Sequence, residues 1–521
     1  MSESIPASNN GEDKPALETK HRRLLMSAVM GVSICQLLDV TIANVALPHM
    51  QSSLGASLDS ITWVLTSFII AGVMVTPIVG WTSDRLGSRR VFLWAVAGFL
   101  VASMLCGMAT SLTQMVIFRA LQGICAAFIG PMAQTIMYDI NPPSKQPTAM
   151  SIWGMVVMIA PITGPMLGGL LTDTLNWRWV FYINLPVGIP TFLILLWLLP
   201  SRPIIPRKLD QFGFLVLALG LVALQLLLDR GQHKDWFQSP EIVIELVVVL
   251  SALWIFAVHT MNTKNPLFPA DLLKNSNFVG ALVIMFVLGI ANIAIASTLP
   301  TMFQTVYQYN VFDTGLLMIP RGVGVLITML IVARLMRKMD VRFCVCCGYL
   351  LASIALWFMS RWSLDMDYWP ILITGFIQGL GMGLIFTPVN MAAFSTLEPR
   401  FRPDGSSLLN LVRNLGGSFG ISVIITLLGR NAQTSHADLS PHITAYSLTS
   451  FDLSATAARL GEYGSALLHL IEAEINRQAL MIAHIDNFYA MSVVIAIIAL
   501  VPFFLQPIKL PAVQQPGSGR R

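Results

Sequence analysis

Apolar residues dominate long continuous stretches of the chain, and short polar segments separate these stretches. Each stretch has about the 20 residues that a helix needs to cross a bilayer. The pattern therefore predicts an all-α integral membrane protein whose chain crosses the bilayer fourteen times. The predicted crossings lie at approximately residues 24–47, 62–80, 91–109, 113–133, 148–171, 179–199, 212–228, 241–259, 277–300, 313–333, 343–360, 369–390, 407–429 and 486–505.

The composition agrees with this number of crossings and excludes a soluble globular protein. Hydrophobic residues make up 55% of the 521 residues and charged residues only 11%, whereas soluble domains contain about 25% charged residues. At about 20 apolar residues per crossing, the hydrophobic content sets a ceiling of about fourteen crossings.

Signatures of enzymes and metal sites are missing from the sequence. It contains no GxxxxGK[ST] phosphate loop and no HExxH, and its eight histidines are scattered. The Cys-Val-Cys-Cys run at 344–347 has no nearby histidine, so we expect its thiols to pack as small hydrophobic groups. We therefore expect that the chain is not an enzyme, an ATP-driven pump or a metallohydrolase, and that it uses no metal or cofactor.

Lysine and arginine residues predict the orientation of the chain, because cytoplasmic loops of membrane proteins are enriched in them. With a cytoplasmic N-terminus, the inside segments hold 22 of these residues, the outside segments seven and the crossings three. Both termini are therefore predicted to be cytoplasmic. The net charge of +5 belongs to these loops, so no nucleic-acid partner is implied.

Two weak repeats predict how the chain is divided into domains. Arg-Ala-Leu-Gln-Gly at 119–123 matches Gly-Phe-Ile-Gln-Gly at 375–379, and the basic loop 84–90 matches 334–342. Repeated halves with a site between them are typical of secondary transporters, so we expect six helices, an inserted pair and six more helices. The predicted units are a disordered cytoplasmic tail at 1–23, a six-helix bundle at 24–200, two linker helices at 210–260, a second six-helix bundle at 275–505 and a cytoplasmic tail at 506–521.

The longest polar segment between predicted crossings is 430–484, on the outer face of the second bundle. Within it, residues 465–484 carry apolar side chains at helical spacing, which predicts an amphipathic helix. Two interpretations are open: the helix docks a partner protein, or it caps the outer mouth and rests on the lipid headgroups.

Ionisable residues inside crossings are costly and therefore point to function. Asp39 in the first crossing and Arg119 in the fourth lie at a similar depth, roughly 10 Å from the outer end. A buried aspartate near an arginine is poised to exchange a proton as its surroundings change. We assign both residues to proton coupling; the alternative is a static buried ion pair that holds two helices in register.

Arg321 and Arg413 lie in the tenth and thirteenth crossings, with no acid well inside the crossings of their bundle. Together with Asp39 and Arg119 they give the membrane interior one acid and three bases, which suits an anionic or weakly acidic lipophilic ligand. The alternative is that amides such as Asn410 satisfy the guanidinium groups. The candidates for substrate binding or gating are Gln122, Gln378, Asn410, Arg413 and Arg321.

Two further segments are expected to control conformation. In the fifth crossing, Ala160, Gly164 and Gly168 form a smooth stripe for close helix packing, and two prolines bend the helix. Between the second and third crossings, Asp84 ends one helix and basic residues begin the next, so we expect this loop to clasp helix ends in one state and release them in the other. The simpler alternatives are close packing and ordinary cytoplasmic positive charge. The candidates are Pro161, Gly164, Pro165, Gly168 and Gly169 in the helix, and Gly80, Asp84, Arg85, Gly87, Arg89 and Arg90 in the loop.

Six segments, in order along the chain, carry a resemblance to a known family. They are Leu38 to Pro48, Asp84 to Arg90, Arg119 to Gly123, Gly164-Pro165, Trp177 to Gly188 and Gly405 to Gly417. Together they resemble the major facilitator superfamily, and within it the fourteen-helix drug:proton antiporters of the EmrB/QacA type. The resemblance is closer to EmrB-like members and covers all fourteen crossings.

This resemblance implies export of hydrophobic toxic compounds in exchange for entering protons, with Asp39 as the carboxylate of the first helix. EmrB-like members work with a periplasmic adaptor and an outer-membrane channel, which implies the inner-membrane pump of a tripartite system. QacA-like members also carry a large outer loop, so segment 430–484 leaves this point open. The alternative is a single-component exporter or importer of one specific metabolite with the same fold.

Overall fold

Inside a bilayer a helix pairs its backbone N–H and C=O groups within one segment, so the long apolar stretches become helices. The structure is a computed structural model that describes residues 14–205, 207–336, 338–395, 397–442 and 463–504, and every regular element in these ranges is helical. Thirteen of the described helices are long and apolar enough to cross a membrane, and a helix bent by 43° supplies a fourteenth.

These helices coincide with the predicted crossings and confirm the all-α membrane fold. Most of them extend several residues beyond the apolar stretch, because helical hydrogen bonding does not stop where the lipid ends. Their bounds are α1 (Arg22–Leu54), α2 (Trp63–Leu86), α3 (Ser88–Met108), α4 (Leu112–Asp139), α5 (Gln146–Thr174), α6 (Trp179–Leu198), α7 (Gln211–Arg230), α8 (Pro240–Asn262), α9 (Ser276–Thr305), α10 (Val311–Leu335), α11 (Val341–Met359), α12 (Tyr368–Ser395), α13 (Arg402–Leu439) and α14 (Tyr463–Ile498).

The first six and the last six helices make the same contacts at an offset of eight helices. Helix α1 packs against α4, α5 and α6, and α9 packs against α12, α13 and α14. Helix α2 likewise packs against α4, and α10 packs against α12. This repetition supports the proposed division into two bundles, whose boundaries remain a prediction.

The inserted pair, α7 and α8, packs together, and α7 also contacts α2 and α13. The two sets of six helices meet mainly through α5 with α10 and through α2 and α4 with α13. A site shared by both halves therefore lies between these helices.

Small residues bring the paired helices close together in both halves. A Cβ atom added at Gly123 of α4 would collide with the backbone oxygen of Phe68 in α2. In the second half, a Cβ at Gly379 of α12 would collide with the backbone oxygen of Arg321 in α10. Phe68 and Arg321 therefore occupy corresponding positions in the two halves.

The predicted outer segment 430–484 is largely a continuation of two membrane helices. Helix α13 extends to Leu439 and α14 begins at Tyr463, so the expected amphipathic helix is part of α14. Nε2 of His436 lies 2.9 Å from Oε1 of Glu472 and joins the two extensions. Residues 443–462 lie outside the described part of the chain.

The chain ahead of α1 contacts the helical body. The backbone N–H of Leu17 donates to the carbonyl of Asp139 at 2.9 Å, and the Leu17 side chain packs against the core. The prediction of a disordered tail over 1–23 therefore does not hold for residues 14–23. Residues 1–13 and the predicted tail 506–521 lie outside the described ranges.

Candidate functional site

Asp39 lies at the centre of a buried network among the first six helices. Arg119 Nη1 donates to Asp39 Oδ2 at 2.5 Å, and Gln122 Nε2 donates to Asp39 Oδ1 at 2.9 Å. Arg119 Nη1 also donates to Gln122 Oε1 at 2.7 Å. The three side chains are fully enclosed, since none of these residues is more than 1% exposed. The two residues predicted for proton coupling therefore form a direct ion pair.

Asn184 of α6 adds a third donor to the Asp39 carboxylate. Its Nδ2 lies 3.0 Å from Asp39 Oδ1 and 2.9 Å from the hydroxyl oxygen of Ser103 in α3. Ser103 in turn donates to the carbonyl of Phe181 at 2.9 Å. The network therefore joins α1, α3, α4 and α6 around one carboxylate.

Arg119 is held in place by groups other than Asp39. Its Nε donates to the carbonyl of Val64 in α2 at 3.1 Å. Its guanidinium carbon lies 4.4 Å from the ring centroid of Phe68, which is a cation–π distance. These contacts keep the positive charge beside Asp39 whether or not the carboxyl group is ionised.

The Asp39 network has the chemistry of a two-state switch. An ionised carboxylate is stabilised by Arg119 and by the amide donors, which offsets the cost of burying its charge. Protonation removes the attraction to the guanidinium group and turns one carboxyl oxygen into a donor. Each change therefore alters the contacts among four helices.

The predicted candidates of the second half lie in two separate places. Arg413 Nη2 donates to Asn410 Oδ1 at 3.0 Å, so an amide partly satisfies this guanidinium group. Arg321 Nη2 donates to Asn292 Oδ1 at 2.9 Å. Gln378 is fully buried, and its amide makes no hydrogen bond to another described residue.

A chain of amides links Arg413 to the first half. Asn410 Nδ2 donates to Gln134 Oε1 at 2.9 Å, and Gln134 Nε2 donates to Asn390 Oδ1 at 2.5 Å. Gln134 belongs to α4, whereas Asn390 and Asn410 belong to α12 and α13. These residues therefore lie at the interface between the two halves. Neither Gln134 nor Asn390 was a sequence candidate.

Ion pairs close the bundle at the end that carries the N-terminus of α1. Arg207 makes two bonds to the Asp404 carboxylate, at 2.8 and 2.6 Å, and lies 3.6 Å from Asp84. Asp139 pairs with Arg202 at 2.7 Å and with Arg402 at 3.1 Å. Asp404 and Arg402 lie at the start of α13, in the second half. Their partners lie in the first half or in the segment that follows α6, so these ion pairs join the two halves.

Arg207 remains charged within this cluster. Burial opposes its charge, but the bonds to Asp404 and the nearby charge of Asp84 outweigh that cost and raise the pKa of the guanidinium group above its usual value. Removing the side chain would leave two acids close together without their shared cation.

The residues of the predicted loop contact neighbouring segments of the chain. Asp84 is paired with Arg207 of the segment after α6, and not with the basic residues that follow it in sequence. Arg89 Nη2 donates to the carbonyl of Leu196 at 2.7 Å, and Arg85 stacks over Trp81 at 5.4 Å. Arg90 is exposed.

Glycine is favoured at two positions of the loop, for a different structural reason at each. A Cβ at Gly80 would collide with the Asp404 side chain, so glycine lets α13 approach this end of α2. Gly87 has φ of 91°, a left-handed conformation that favours glycine and turns the chain between α2 and α3.

The predicted stripe of α5 packs against α1, close to Asp39. A Cβ at Gly164 would collide with Thr41, and one at Gly168 would lie 2.9 Å from Ile42. Gly169 is also buried, and Pro165 is partly buried. The 43° bend falls between Met158 and Thr163 and agrees with the predicted bending; the side chain of Pro161 lies outside the described residues.

Replacing Arg207 by glutamine is expected to open this closed end. The Arg207→Gln substitution leaves Asp84 and Asp404 without their cation, which favours separation of the halves. A cysteine introduced at the fully buried Ser406 of α13 reports the opening. Its rate of labelling by a membrane-permeant maleimide should rise at least about tenfold, the change that corresponds to about 1.4 kcal/mol.

The exposed Arg400 supplies a matched control for this experiment, because its ion pair with Glu398 joins neighbouring residues on the surface. Arg400→Gln is expected to leave the labelling rate unchanged. Equal labelling rates in Arg207→Gln and the parent protein would contradict a role of this ion pair in closure.

Glu245 in the eighth helix is a further acid that was not a sequence candidate, in addition to Asp139 and Asp404. Glu245 lies five residues into α8 and is partly buried beside Glu241. The only sequence signal for Glu245 was its position near the start of an apolar stretch. Asn184 belongs to a motif of the resemblance, but nothing in the sequence connects it to Asp39, which lies 145 residues away.

Two matching sets of membrane helices with a buried charge network between helices define a membrane transport protein. The chain belongs to the Major Facilitator Superfamily, whose family model matches residues 29–421. It is therefore a multi-pass membrane transporter and not an enzyme.

Individual relatives are similar over nearly the full length of the chain. The multidrug export protein EmrB of Escherichia coli K12 is 32% identical over 500 residues, which cover 95% of this chain and 97% of that protein. The fatty acid resistance protein FarB of Neisseria gonorrhoeae is 32% identical over 474 residues, covering 91% and 94%. These similarities confirm the predicted EmrB-like membership.

A solved structure supports the same fold at low sequence identity. The crystal structure of the human organic anion transporter MFSD10 (TETRAN) is 15% identical, with a TM-score of 0.58, and the match covers 93% of this chain and 99% of that chain.

Proposed function

We propose that this protein is a proton-coupled multidrug efflux transporter of the inner membrane that exports hydrophobic toxic compounds by alternating access. The observation that carries the proposal is the buried Asp39–Arg119 pair, whose carboxylate is shared by donors from the fourth and sixth helices. A proton that reaches Asp39 changes the contacts of all these helices. Coupling to the proton gradient therefore needs no further cofactor.

The class of substrate is proposed from the named relatives and from the helices themselves. EmrB is a multidrug export protein and FarB a fatty acid resistance protein, and both match this chain over more than nine-tenths of its length. Large apolar side chains are abundant in the membrane helices. Hydrophobic compounds, including weak acids, are therefore the proposed substrates.

Alternating access requires that one end closes while the other opens. The Arg207, Asp404 and Asp139 ion pairs close one end in this structure. The lysine and arginine distribution predicts that this end is cytoplasmic. We infer that proton binding at Asp39 and substrate binding between the halves alternate, and that these ion pairs break when the transporter opens inward.

The proposal is tested in everted membrane vesicles that carry the protein and an established proton gradient. Adding a hydrophobic drug such as ethidium should partly dissipate the gradient, because each exported molecule exchanges for protons. Vesicles without the protein are the control. Drug uptake that leaves the gradient unchanged would contradict proton coupling.

We further propose that α13 and α14 dock an adaptor beyond the outer face, as part of a tripartite pump. Both helices continue past the apolar stretch and are joined by His436 and Glu472. A Glu472→Lys substitution should lower drug resistance of whole cells while vesicle transport stays unchanged. Unchanged resistance would favour a single-component exporter.

A further inference from the structure

The chain ahead of α1 folds back onto the end of α4. Helix α4 ends at Asp139, and the residue four positions further on is Pro143, which has no backbone N–H. The carbonyl of Asp139 therefore cannot make the usual helical hydrogen bond. The backbone N–H of Leu17 supplies the missing donor at 2.9 Å.

A neighbouring carbonyl of α4 has the same need and meets it differently. The helical partner of Tyr138 would be Pro142, and Nε2 of Gln146 donates to the Tyr138 carbonyl at 3.2 Å instead. Gln146 begins α5, the next helix along the chain. The Asp139 carbonyl, in contrast, takes its donor from the segment ahead of α1.

The Leu17 side chain lies at the seam between the two halves. It packs against the core, and it lines a narrow cleft together with Thr135 of α4 and with Pro403 and Ser406 of α13. The hydroxyl oxygens of Thr135 and Ser406 lie 2.9 Å apart across this seam. The wall that receives Leu17 is therefore complete only while α4 and α13 are together.

The same seam carries ion pairs that close this end of the bundle. The Asp139 carboxylate pairs with Arg202 and with Arg402, while its carbonyl accepts from Leu17. Arg202 Nη2 also donates to the carbonyl of Pro399, in the second half, at 2.9 Å. Asp139 therefore connects the segment ahead of α1 to the closing contacts.

The segment 14–21 has one apolar anchor in a polar sequence. Leu17 is its only large apolar residue and is half-buried, whereas Glu18 and Lys20 are exposed. The ring of His21 stacks against Trp197 near the end of α6, with the ring centroids 6.4 Å apart. The segment therefore runs from the end of α4 to the end of α6.

We propose that residues 14–21 form a strap that favours closure of this end, with Leu17 as its anchor. When the halves separate, α13 leaves α4 and the apolar seat of Leu17 opens to water. Contacts that exist in the closed state alone shift the equilibrium towards that state. The inference rests on the proposed function of export by alternating access, and it makes the strap a control on how often the transporter opens inward.

The strap is tested by maleimide labelling of a cysteine introduced at Ser406, in membranes that hold the full-length protein without drug or gradient. Leu17→Gln should raise the labelling rate at least about threefold, because the apolar contact that favours the closed state is lost. Leu17→Met keeps an apolar side chain of similar size and should label at nearly the parent rate. The exposed neighbour supplies the control Glu18→Gln, which should leave the rate unchanged.

Two further measurements separate release of the strap from a general loosening of the fold. In Leu17→Gln a larger share of the transporter is open to the side from which drug is taken up, so the drug concentration for half-maximal uptake into everted vesicles should fall. The unfolding temperature in detergent should stay within about 2 °C of the parent protein.

Three results would overturn the strap. They are equal labelling of Leu17→Gln and the parent protein, faster labelling that Glu18→Gln matches or that a lower unfolding temperature accompanies, and faster labelling with no fall in the half-maximal drug concentration. Labelling needs neither drug nor gradient, so failure of proton coupling would appear in the gradient experiment and leave the difference between the Leu17 variants intact.

Discussion

Proton-driven export is expected to disappear when Asp39 is replaced by asparagine. The asparagine side chain has the same size and keeps an acceptor for Arg119, but it cannot bind and release a proton. In everted vesicles, gradient-driven drug uptake by the Asp39→Asn variant should fall below about 5% of the parent rate, as expected for loss of an essential ionisable group within the membrane.

The fold should survive this substitution, because the amide oxygen still accepts from Arg119, and the guanidinium group keeps its bonds to Val64 and Gln122 and its contact with the ring of Phe68. Asp271→Asn, which removes an exposed acid ahead of α9, is the matched control and should transport at the parent rate. Undiminished gradient-driven transport by Asp39→Asn would contradict the proposed coupling site.

The Arg119→Gln substitution is expected to destabilise the protein strongly. It leaves the Asp39 carboxylate fully buried without its cation, and removing one partner of a buried ion pair typically costs about 3–5 kcal/mol. Thermal unfolding of the detergent-solubilised protein should therefore begin at a clearly lower temperature than in the parent protein.

The double variant Asp39→Asn with Arg119→Gln separates the ion pair from general packing. With both charges removed, no unpaired charge remains buried, so most of the lost stability should return. A double variant that is as unstable as the sum of both single changes would show that the two residues contribute independently.

The sequence was sufficient to predict the helices, because the bilayer imposes the same condition on every crossing. It also brought Asp39 and Arg119 together, since their depths agreed and charges are rare in lipid. The close packing of α5 on α1 followed in the same way from Gly164 and Gly168. These predictions depend on local composition and spacing.

The partners across the molecule could not be predicted from local patterns. Arg207 meets Asp404 over 197 positions and Gln134 meets Asn390 over 256, and only the packing of the two halves brings them together. Basic residues such as Arg207 resemble ordinary cytoplasmic charge in sequence. The closing contacts therefore involve residues beyond the predicted loop.

Hydropathy also could not predict how far the helices extend beyond the lipid. Helices α13 and α14 continue through the polar segment because their backbone bonds need no apolar side chains. Counting apolar residues locates the boundary of the membrane but not the ends of the helices. Helix α13 ends at Leu439 and α14 begins at Tyr463, both outside the predicted apolar stretches.

The most direct test of the coupling mechanism is proton release on substrate binding. Purified protein in weakly buffered detergent solution is mixed with ethidium, and the change in pH is measured at several starting pH values. If protonation of Asp39 and substrate binding alternate, the parent protein should release up to about one proton per bound molecule, and Asp39→Asn should release none while still binding. Equal proton release by both proteins would contradict Asp39 as the coupling residue.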